Sequence, residues 1–259
     1  MSLSLSFIQT ALHWEQIDSN LEMLEAKIAA LQKETDLIVL PEMFSTGFSM
    51  KVEKYAEDFQ DSKSINWMKR QAEKTSACVL GSLMIKDKGN HYNRMIVAFP
   101  DGQLLHYDKR HRFTLAGEDK HYSAGSEKLV FEYKGWKICP MICYDLRFPV
   151  WIRNQHEYDL LIFVANWPEA RIKAWDTLLA ARAIENMSYC LGDNIVDVDG
   201  KGHNYVGHSC LYDPLGEAVT AKNFEGQKTT SITLHKSDLD QLRQKMAFLD
   251  DQDEFNIKV

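Results

Sequence analysis

Apolar and polar residues alternate in the first strand-length segment of the chain, where leucine or phenylalanine follows serine through residues 2–7. A period of two is typical of a β-strand with one buried face. The spacing changes in residues 21–31, where leucine and isoleucine recur every three or four positions and predict an amphipathic helix. Ser19 followed by Glu22 has the form of a capping box, so we expect this helix to open there.

Short apolar runs, turns and further amphipathic segments fill the rest of the chain. Strands are predicted at residues 36–44 (interrupted at Pro41), 78–85, 92–100, 103–109, 128–133, 136–143, 159–166, 189–196, 207–212 and 229–235, and helices at 64–73, 147–155, 175–183 and 239–246. Residues 100–102 predict a hairpin turn, and residues 110–125 a polar loop. The order β-α-β-α-β-β-β occurs roughly twice. This favours an α/β fold in which two mixed sheets pack face to face with helices outside, as one domain over residues 1–259.

Composition and charge narrow the classes of function. The 259 residues are 45% apolar and carry a net charge of −7, which disfavours nucleic acid or an anionic membrane as the main partner. The N-terminal residues lack a basic region followed by an apolar one, and no apolar run is long enough to span a bilayer, so we expect a cytoplasmic protein. Five scattered cysteines argue against a disulfide framework and a zinc site.

One ionisable residue stands at the end of each of three apolar runs. Glu42 follows "LIVLP", Lys109 follows "LLHYD" and Cys143 ends "WKICPMIC". A thiol needs a base to become a nucleophile, and a carboxylate in a partly dry pocket can serve as that base. An ammonium group nearby can stabilise negative charge that develops on a substrate oxygen. The three residue types together therefore indicate nucleophilic catalysis by Cys143.

The segments around these residues resemble the nitrilase or carbon–nitrogen hydrolase superfamily, and in detail its omega-amidase branch. The resemblance rests on "LPEMFSTGF", "YDKRHRF", "CYDLRFPVW", "ANWPEAR" and "LLAARAIEN", in this order over nearly the whole chain. It implies a four-layer α-β-β-α sandwich and a Glu-Lys-Cys triad at Glu42, Lys109 and Cys143. It also implies a supporting glutamate, which Glu118 matches.

The mechanism expected from the residues and the resemblance is amide hydrolysis through a thioester. Glu42 accepts the Cys143 proton, and Lys109 with the Tyr144 backbone N–H stabilises the tetrahedral oxyanion. No metal and no organic cofactor are needed. Asp145 and Arg147 behind the nucleophile are expected to pair with each other or with nearby backbone.

The resemblance implies small dicarboxylic monoamides as substrates, such as 2-oxoglutaramate, 2-oxosuccinamate or succinamate. A site for them needs a cation for the distal carboxylate and an apolar wall. The candidate cations are Arg171, Arg112 and His208, and the candidate wall residues are Trp167, Phe44 and Phe48. Ordinary core packing is the alternative reading of the three aromatic residues.

Two further expectations come from the resemblance. Residues 148–151 form an apolar cluster beyond the nucleophile, near the point where relatives associate, so a homodimer is expected. Many relatives have Asn-Arg-Val-Gly where this chain has Asn-Ile-Val-Asp. Ile195 and Asp197 thus replace an arginine and a glycine, which leaves open what those two residues do in relatives.

Three other functions remain open at this stage. A related hydrolase would act on nitriles or N-carbamoyl compounds. A non-enzymatic thiol sensor would use Cys143 with a resolving cysteine, but Cys139 lies on the order of 13 Å away along an extended strand, too far for a direct disulfide. A nucleic-acid module would use the basic residues 109–112, which the acidic net charge disfavours.

Overall fold

The computed structural model of the chain describes residues 1–31, 34–155 and 158–258. The first large sheet has the strand order β14-β1-β2-β4-β5-β6, with the short β3 paired to β4. Its strands are β1 (Ser2–Gln9), β2 (Leu37–Val39), β3 (Glu57–Asp58), β4 (Cys78–Asp87), β5 (Asn90–Ala98), β6 (Leu104–Asp108) and β14 (Lys228–His235). The β1-β2-β4 pairings are parallel, and β4-β5-β6 is an antiparallel meander.

The second sheet has the order β13-β10-β9-β8-β7. Its strands are β7 (Phe131–Tyr133), β8 (Trp136–Ile142), β9 (Leu160–Ala165), β10 (Tyr189–Asn194) and β13 (Cys210–Tyr212). The central strands β8, β9 and β10 are parallel and lie inside the protein, which explains why β9, Leu160–Ala165, is an uninterrupted apolar run. A separate hairpin joins β11 (Val196–Val198) and β12 (Asn204–Val206).

Six α-helices and five 3-10 turns complete the described chain. The helices are α1 (Ile17–Ala29), α2 (Val52–Tyr55), α3 (Lys63–Thr75), α4 (Pro149–Ile152), α5 (Ile172–Asn186) and α6 (Lys236–Lys245). The 3-10 turns are Thr114–Ala116, Glu118–Lys120, Cys143–Arg147, Glu169–Arg171 and Phe248–Asp251. None of the helices seen in the described ranges has the length and apolar character that crossing a bilayer requires.

The core confirms the predicted four-layer arrangement. One buried cluster combines inward side chains of both sheets, such as Leu5 and Val97 from the first and Ile138 and Ile162 from the second. A second cluster joins α1 and α3 to the other face of the first sheet. On the far side, α5 lies against β10, so each sheet is covered outside by helix.

Two local predictions were wrong. Helix α1 begins at Ile17 rather than at Ser19, and the buried Asn20 in its first turns hydrogen-bonds the backbone of His13 and Ser45. The helix predicted at 147–155 is only four residues long. Pro149 occupies its first turn, where its missing N–H does no harm.

The last strand joins a sheet that its sequence position does not suggest. β14 pairs antiparallel with β1 over eight residues, from Ser2 opposite His235 to Gln9 opposite Lys228. The chain therefore leaves the second sheet after β13 and closes an edge of the first. This pairing ties the two halves of the molecule together.

The close approach of α5 to β10 generates a stability prediction. A Cβ on Gly192 would lie 2.4 Å from Leu179 Cδ1 and 2.6 Å from Trp175 Cζ2. We expect Gly192→Ala to lower the free energy of unfolding by about 1–3 kcal/mol, as overpacked cores do. Chemical denaturation measures this change. In a Leu179→Ala background the same substitution should cost less, because the nearest atoms are gone; equal costs in both backgrounds would contradict the packing argument.

Candidate active site

The three predicted strand-end residues meet in one place. Glu42 follows β2, Lys109 follows β6 and Cys143 follows β8, so the first sheet supplies two of them and the second sheet one. Lys109 Nζ lies 3.0 Å from Glu42 Oε1 and 3.0 Å from Glu118 Oε2. The side chains of Glu42, Lys109 and Glu118 are at most 1% exposed. Glu118 therefore contacts Lys109, and its supporting role stays a prediction.

Cys143 stands on a sharp turn between β8 and a 3-10 segment. Its φ of +44° is a left-handed conformation that L-residues seldom adopt. Such outliers persist only where the surrounding structure enforces them. The turn places Sγ 4.0 Å from the Asn166 carbonyl oxygen and near enough to Glu42 for the carboxylate charge to act on the thiol. Cys143 is 9% exposed, whereas the other four cysteines are at most 1% exposed.

The electrostatics of the cluster keep the thiol protonated at rest. Burial raises the pKa of Cys143 well above its usual value, and the negative charge of Glu42 raises it further, while Lys109 opposes the rise. Burial lowers the pKa of Lys109, but the charges of Glu118 and Glu42 more than compensate, so the pKa is raised and the ammonium persists. Burial also raises the pKa of Glu118, against the effect of Lys109. The thiol therefore loses its proton only when another charge changes nearby.

Two asparagines that the sequence analysis missed hold Glu42. Asn93 Nδ2 donates to Glu42 Oε1 at 2.8 Å, and the Asn166 backbone N–H donates to Glu42 Oε2 at 2.7 Å. Asn166 Nδ2 also donates to the Glu42 carbonyl oxygen at 2.7 Å. Asn166 carries the same signal as the triad, since it is a polar residue directly after the apolar β9. Asn93 lies inside β5 and has no comparable signal.

Tyr144 directly follows Cys143, at the position predicted for the second oxyanion donor. It is the second residue of the 3-10 turn that starts at Cys143, and the first N–H groups of such a turn have no partner within it. Its ring packs edge-on against Phe113 and Phe148. Its role as an oxyanion donor stays a prediction.

A pocket of about 300 Å³ opens onto the thiol. Three of the predicted substrate-binding residues line it, namely Phe48, Trp167 and Arg171. The structure places the other three elsewhere. Phe44 is fully buried and packs on Trp67 of α3, Arg112 donates to the Tyr122 carbonyl oxygen, and His208 Nδ1 pairs with Asp176 at 3.0 Å.

Arg147 lines the pocket as well and does not pair with Asp145, whose carboxylate accepts from nearby backbone N–H groups, the other predicted arrangement. Its guanidinium lies 5.0 Å from the Trp167 ring centroid, and that of Arg171 lies 4.7 Å from the Phe113 ring centroid. Over residues 1–31, 34–155 and 158–258, neither guanidinium forms an ion pair or a hydrogen bond. Both cations are therefore available at the pocket, because aromatic faces and not carboxylates hold them.

The segment that departs from the family pattern forms the base of the β11–β12 hairpin. Ile195 is buried, and Asp197 has φ +82°, a conformation that suits the glycine found in many relatives. Beyond it, the Asp199 carboxylate accepts hydrogen bonds from Tyr205 Oη and the Lys201 backbone N–H. The hairpin thus contributes Asp199, Lys201, His203 and Tyr205 to the pocket wall despite the replacements.

No group of three or more histidine, cysteine or carboxylate side chains suited to a metal ion occurs in the part of the chain that the structure describes. The absence of a metal and a cofactor from the reaction stays a prediction.

Comparisons with known proteins agree with this geometry. The family model for carbon–nitrogen hydrolases matches residues 5–244. An omega-amidase YafV of Yersinia enterocolitica is 43% identical over 98% of both chains, and a 2-oxoglutaramate amidase of Bacillus subtilis is 32% identical over 97% of this chain and 98% of its own. The crystal structure of XC1258 from Xanthomonas campestris, described as a CN-hydrolase superfamily protein with an arsenic adduct in the active site, has a TM-score of 0.96. It is 38% identical and covers 100% of both chains.

The raised pKa of Cys143 generates a prediction with a defined sign. Only the thiolate reacts with iodoacetamide, so the alkylation rate of Cys143 should keep rising with pH beyond 9. Glu42→Gln removes a negative charge that raises this pKa and should speed alkylation at pH 8, about tenfold for each unit by which the pKa falls. Peptide mapping over time measures both rates, with Cys143→Ala as the blank. A plateau by pH 7, or earlier labelling of Cys78 or Cys139, would count against the geometry.

Proposed function

The chain belongs to the carbon–nitrogen hydrolase family, and we infer that it hydrolyses carbon–nitrogen bonds other than peptide bonds. From this premise we propose that it is a cysteine-dependent omega-amidase, acting as one domain on the terminal amide of small dicarboxylic monoamides. Substrates of the 2-oxoglutaramate, 2-oxosuccinamate and succinamate type would yield the acid and ammonia.

The observation that carries the substrate class is the pair of unpaired guanidinium groups in a pocket that ends at the thiol. Arg147 and Arg171 have no carboxylate partner within the described residues, and the pocket acid Asp199 is already engaged by hydrogen bonds from its own hairpin. A buried or half-buried cation without a partner favours an anionic ligand. The names of the relatives at 43% and 32% identity support the same class.

The first half-reaction forms a thioester. Glu42 accepts the thiol proton as Cys143 Sγ attacks the carbonyl carbon, and the new negative charge on oxygen is stabilised by Lys109 Nζ and the Tyr144 N–H. Glu42 then donates this proton to the amide nitrogen, because ammonia leaves far more readily than an amide anion. The C–N bond breaks, ammonia departs, and the acyl group remains on sulfur.

The second half-reaction hydrolyses the thioester. Glu42 removes a proton from water, the hydroxide attacks the thioester carbon, and the same two donors stabilise the oxyanion again. The C–S bond breaks, and the thiolate recovers the proton from Glu42. Glu118 acts through Lys109, because both of its oxygens lie 3.0 Å from Lys109 Nζ and hold the ammonium in place. Side chains and one backbone N–H suffice for every step.

The proposal extends to assembly and location. Val150 of α4 and Ile184 of α5 are apolar but 56% and 51% exposed, and Arg153 donates to the Glu185 carbonyl oxygen, which ties the two helices into one surface. We call this the α4–α5 face. Burying it against a second copy would remove these side chains from water, and a homodimer in the cytoplasm is the expected form.

Substrate preference tests the distal carboxylate site. Succinamate should be a far better substrate than butyramide, which has a methyl group in place of the carboxylate. Arg171→Gln should lower kcat/KM for succinamate by about 30- to 5,000-fold, the range for breaking a paired charge, and spare the slow butyramide reaction. Ammonia release measures both. The lower end of this range applies if solvent screens the interaction between Arg171 and the substrate carboxylate.

The chain offers a matched control for this test. Arg112 lies three residues after Lys109 in the chain, but its guanidinium donates to the Tyr122 carbonyl oxygen, away from the pocket. Arg112→Gln should therefore keep the preference for succinamate, while Arg147→Gln should reduce it. Equal kcat/KM for succinamate and butyramide in the unaltered protein would refute the dicarboxylate class.

Light scattering tests the dimer. The chain has a mass of 29.9 kDa, so we expect a species of twice this mass at micromolar concentration. Placing a charge in the α4–α5 face by Val150→Glu or Ile184→Glu should shift the population toward the monomer, because an unpaired charge would be buried. A single monomeric species for the unaltered chain would remove the proposal.

A further inference from the structure

The buried carboxylate of Asp145 lies directly behind the nucleophile and accepts four hydrogen bonds. Its side chain is fully buried. Oδ2 accepts from Tyr107 Oη at 2.8 Å and from the Ile142 backbone N–H at 3.1 Å. Oδ1 accepts from the His111 backbone N–H at 2.9 Å and lies 2.9 Å from His111 Nδ1. Because a carboxylate only accepts, His111 Nδ1 carries a hydrogen here.

The positions of these donors in the sequence are informative. Tyr107 and His111 stand two residues before and two residues after Lys109. Ile142 immediately precedes Cys143, and Asp145 follows it by two. One carboxylate therefore holds the chain on both sides of the lysine and on both sides of the cysteine.

An outer layer fixes the same groups from behind. Tyr107 Oη accepts from the Arg110 backbone N–H and from Trp151 Nε1, each at 3.2 Å. The Phe148 ring stacks on the His111 imidazole with centroids 3.7 Å apart and planes 4° from parallel. The two donors thus have little freedom to turn away from Asp145.

The bridge matters because Lys109 and Cys143 come from different sheets. Lys109 follows β6 of the first sheet and Cys143 follows β8 of the second, and no strand pairing connects β6 with β8. Oxyanion stabilisation requires the ammonium and the attacking sulfur to be held at a fixed separation before reaction. Displacements of about 1 Å can cost on the order of 100-fold in rate.

We propose that Asp145 is a positioning residue that locks the Lys109 segment to the Cys143 turn through Tyr107 and His111. It touches neither substrate nor the reacting atoms. Its kinetic effect rests on the proposed amidase reaction, but its effect on the position of the thiol does not.

Asp145→Asn tests the proposal. The asparagine keeps one acceptor oxygen, but its NH2 group faces N–H or O–H groups that now have no acceptor. We therefore expect kcat to fall on the order of 100-fold with a much smaller change in KM. Alkylation of Cys143 by iodoacetamide at pH 8 should slow by at least about fivefold, because the thiolate loses the nearby ammonium. Asp145→Ala, which keeps no acceptor, should be worse than Asp145→Asn in both measurements.

Two further variants separate positioning from stability. Tyr107→Phe removes a single hydroxyl from the bridge and should lower kcat by about tenfold even if the Asp145 variants do not fold. Asp159→Asn is the matched control, since Asp159 is also a buried carboxylate. Asp159 accepts from Arg243 Nη1 and from the Lys137 backbone N–H. It lies just before β9, whereas the candidate site lies beyond the last residue of that strand. The control variant should lower the melting temperature and leave kcat unchanged.

The outcomes distinguish the two proposals. If the unaltered protein releases no ammonia from any dicarboxylic monoamide, the proposed function fails, and alkylation alone decides the role of Asp145. If Asp145→Asn and Tyr107→Phe lower the melting temperature like Asp159→Asn but leave kcat and the alkylation rate unchanged, Asp145 is only structural and the inference is overturned.

Discussion

A buried ammonium between two buried carboxylates is the interaction on which this site depends. Lys109 Nζ lies 3.0 Å from both Glu42 and Glu118, in surroundings where an unpaired charge would be costly. The cluster carries one negative charge while the thiol is neutral. A thiolate would add a second, so the resting cysteine keeps its proton. In the proposed mechanism, attack on a carbonyl removes this restriction, because the proton moves to Glu42 and the new charge appears beside the ammonium.

The site exists only where the two sheets meet. Glu42 and Lys109 come from the first sheet, and Cys143 and Asn166 from the second. The interior cluster between the sheets therefore sets the distances within the triad as well as the stability of the fold. Hydrogen bonds also cross between the sheets, from Asn166 to Glu42 and from Tyr107 to Asp145. They fix side-chain positions that apolar packing alone would not fix.

In the proposed function, one set of groups in the pocket carries out the reaction and another recognises the substrate. The catalytic groups are buried and mutually paired, whereas Arg147 and Arg171 rest on aromatic rings and keep their hydrogen-bond donors for a ligand. An arginine held in this way is oriented without being neutralised. The β11–β12 hairpin closes one side of the pocket and satisfies its own acid, Asp199, internally. Residues at the base of the hairpin can therefore differ without a direct effect on the triad.

The sequence by itself determined most strands, the layers and three candidate catalytic positions, because each rests on local signals: apolar runs of strand length, and in three cases one ionisable residue where the run stops. Only the tertiary structure decided which other side chains reach the pocket. Phe44 is two residues from Glu42 but faces α3, whereas Arg147 is exposed to the pocket by the turn at Cys143. Asn93, Asp145 and the return of β14 to the first sheet follow from contacts between residues far apart in the chain. Period and composition report which face of a segment is buried, but they do not report what that face meets.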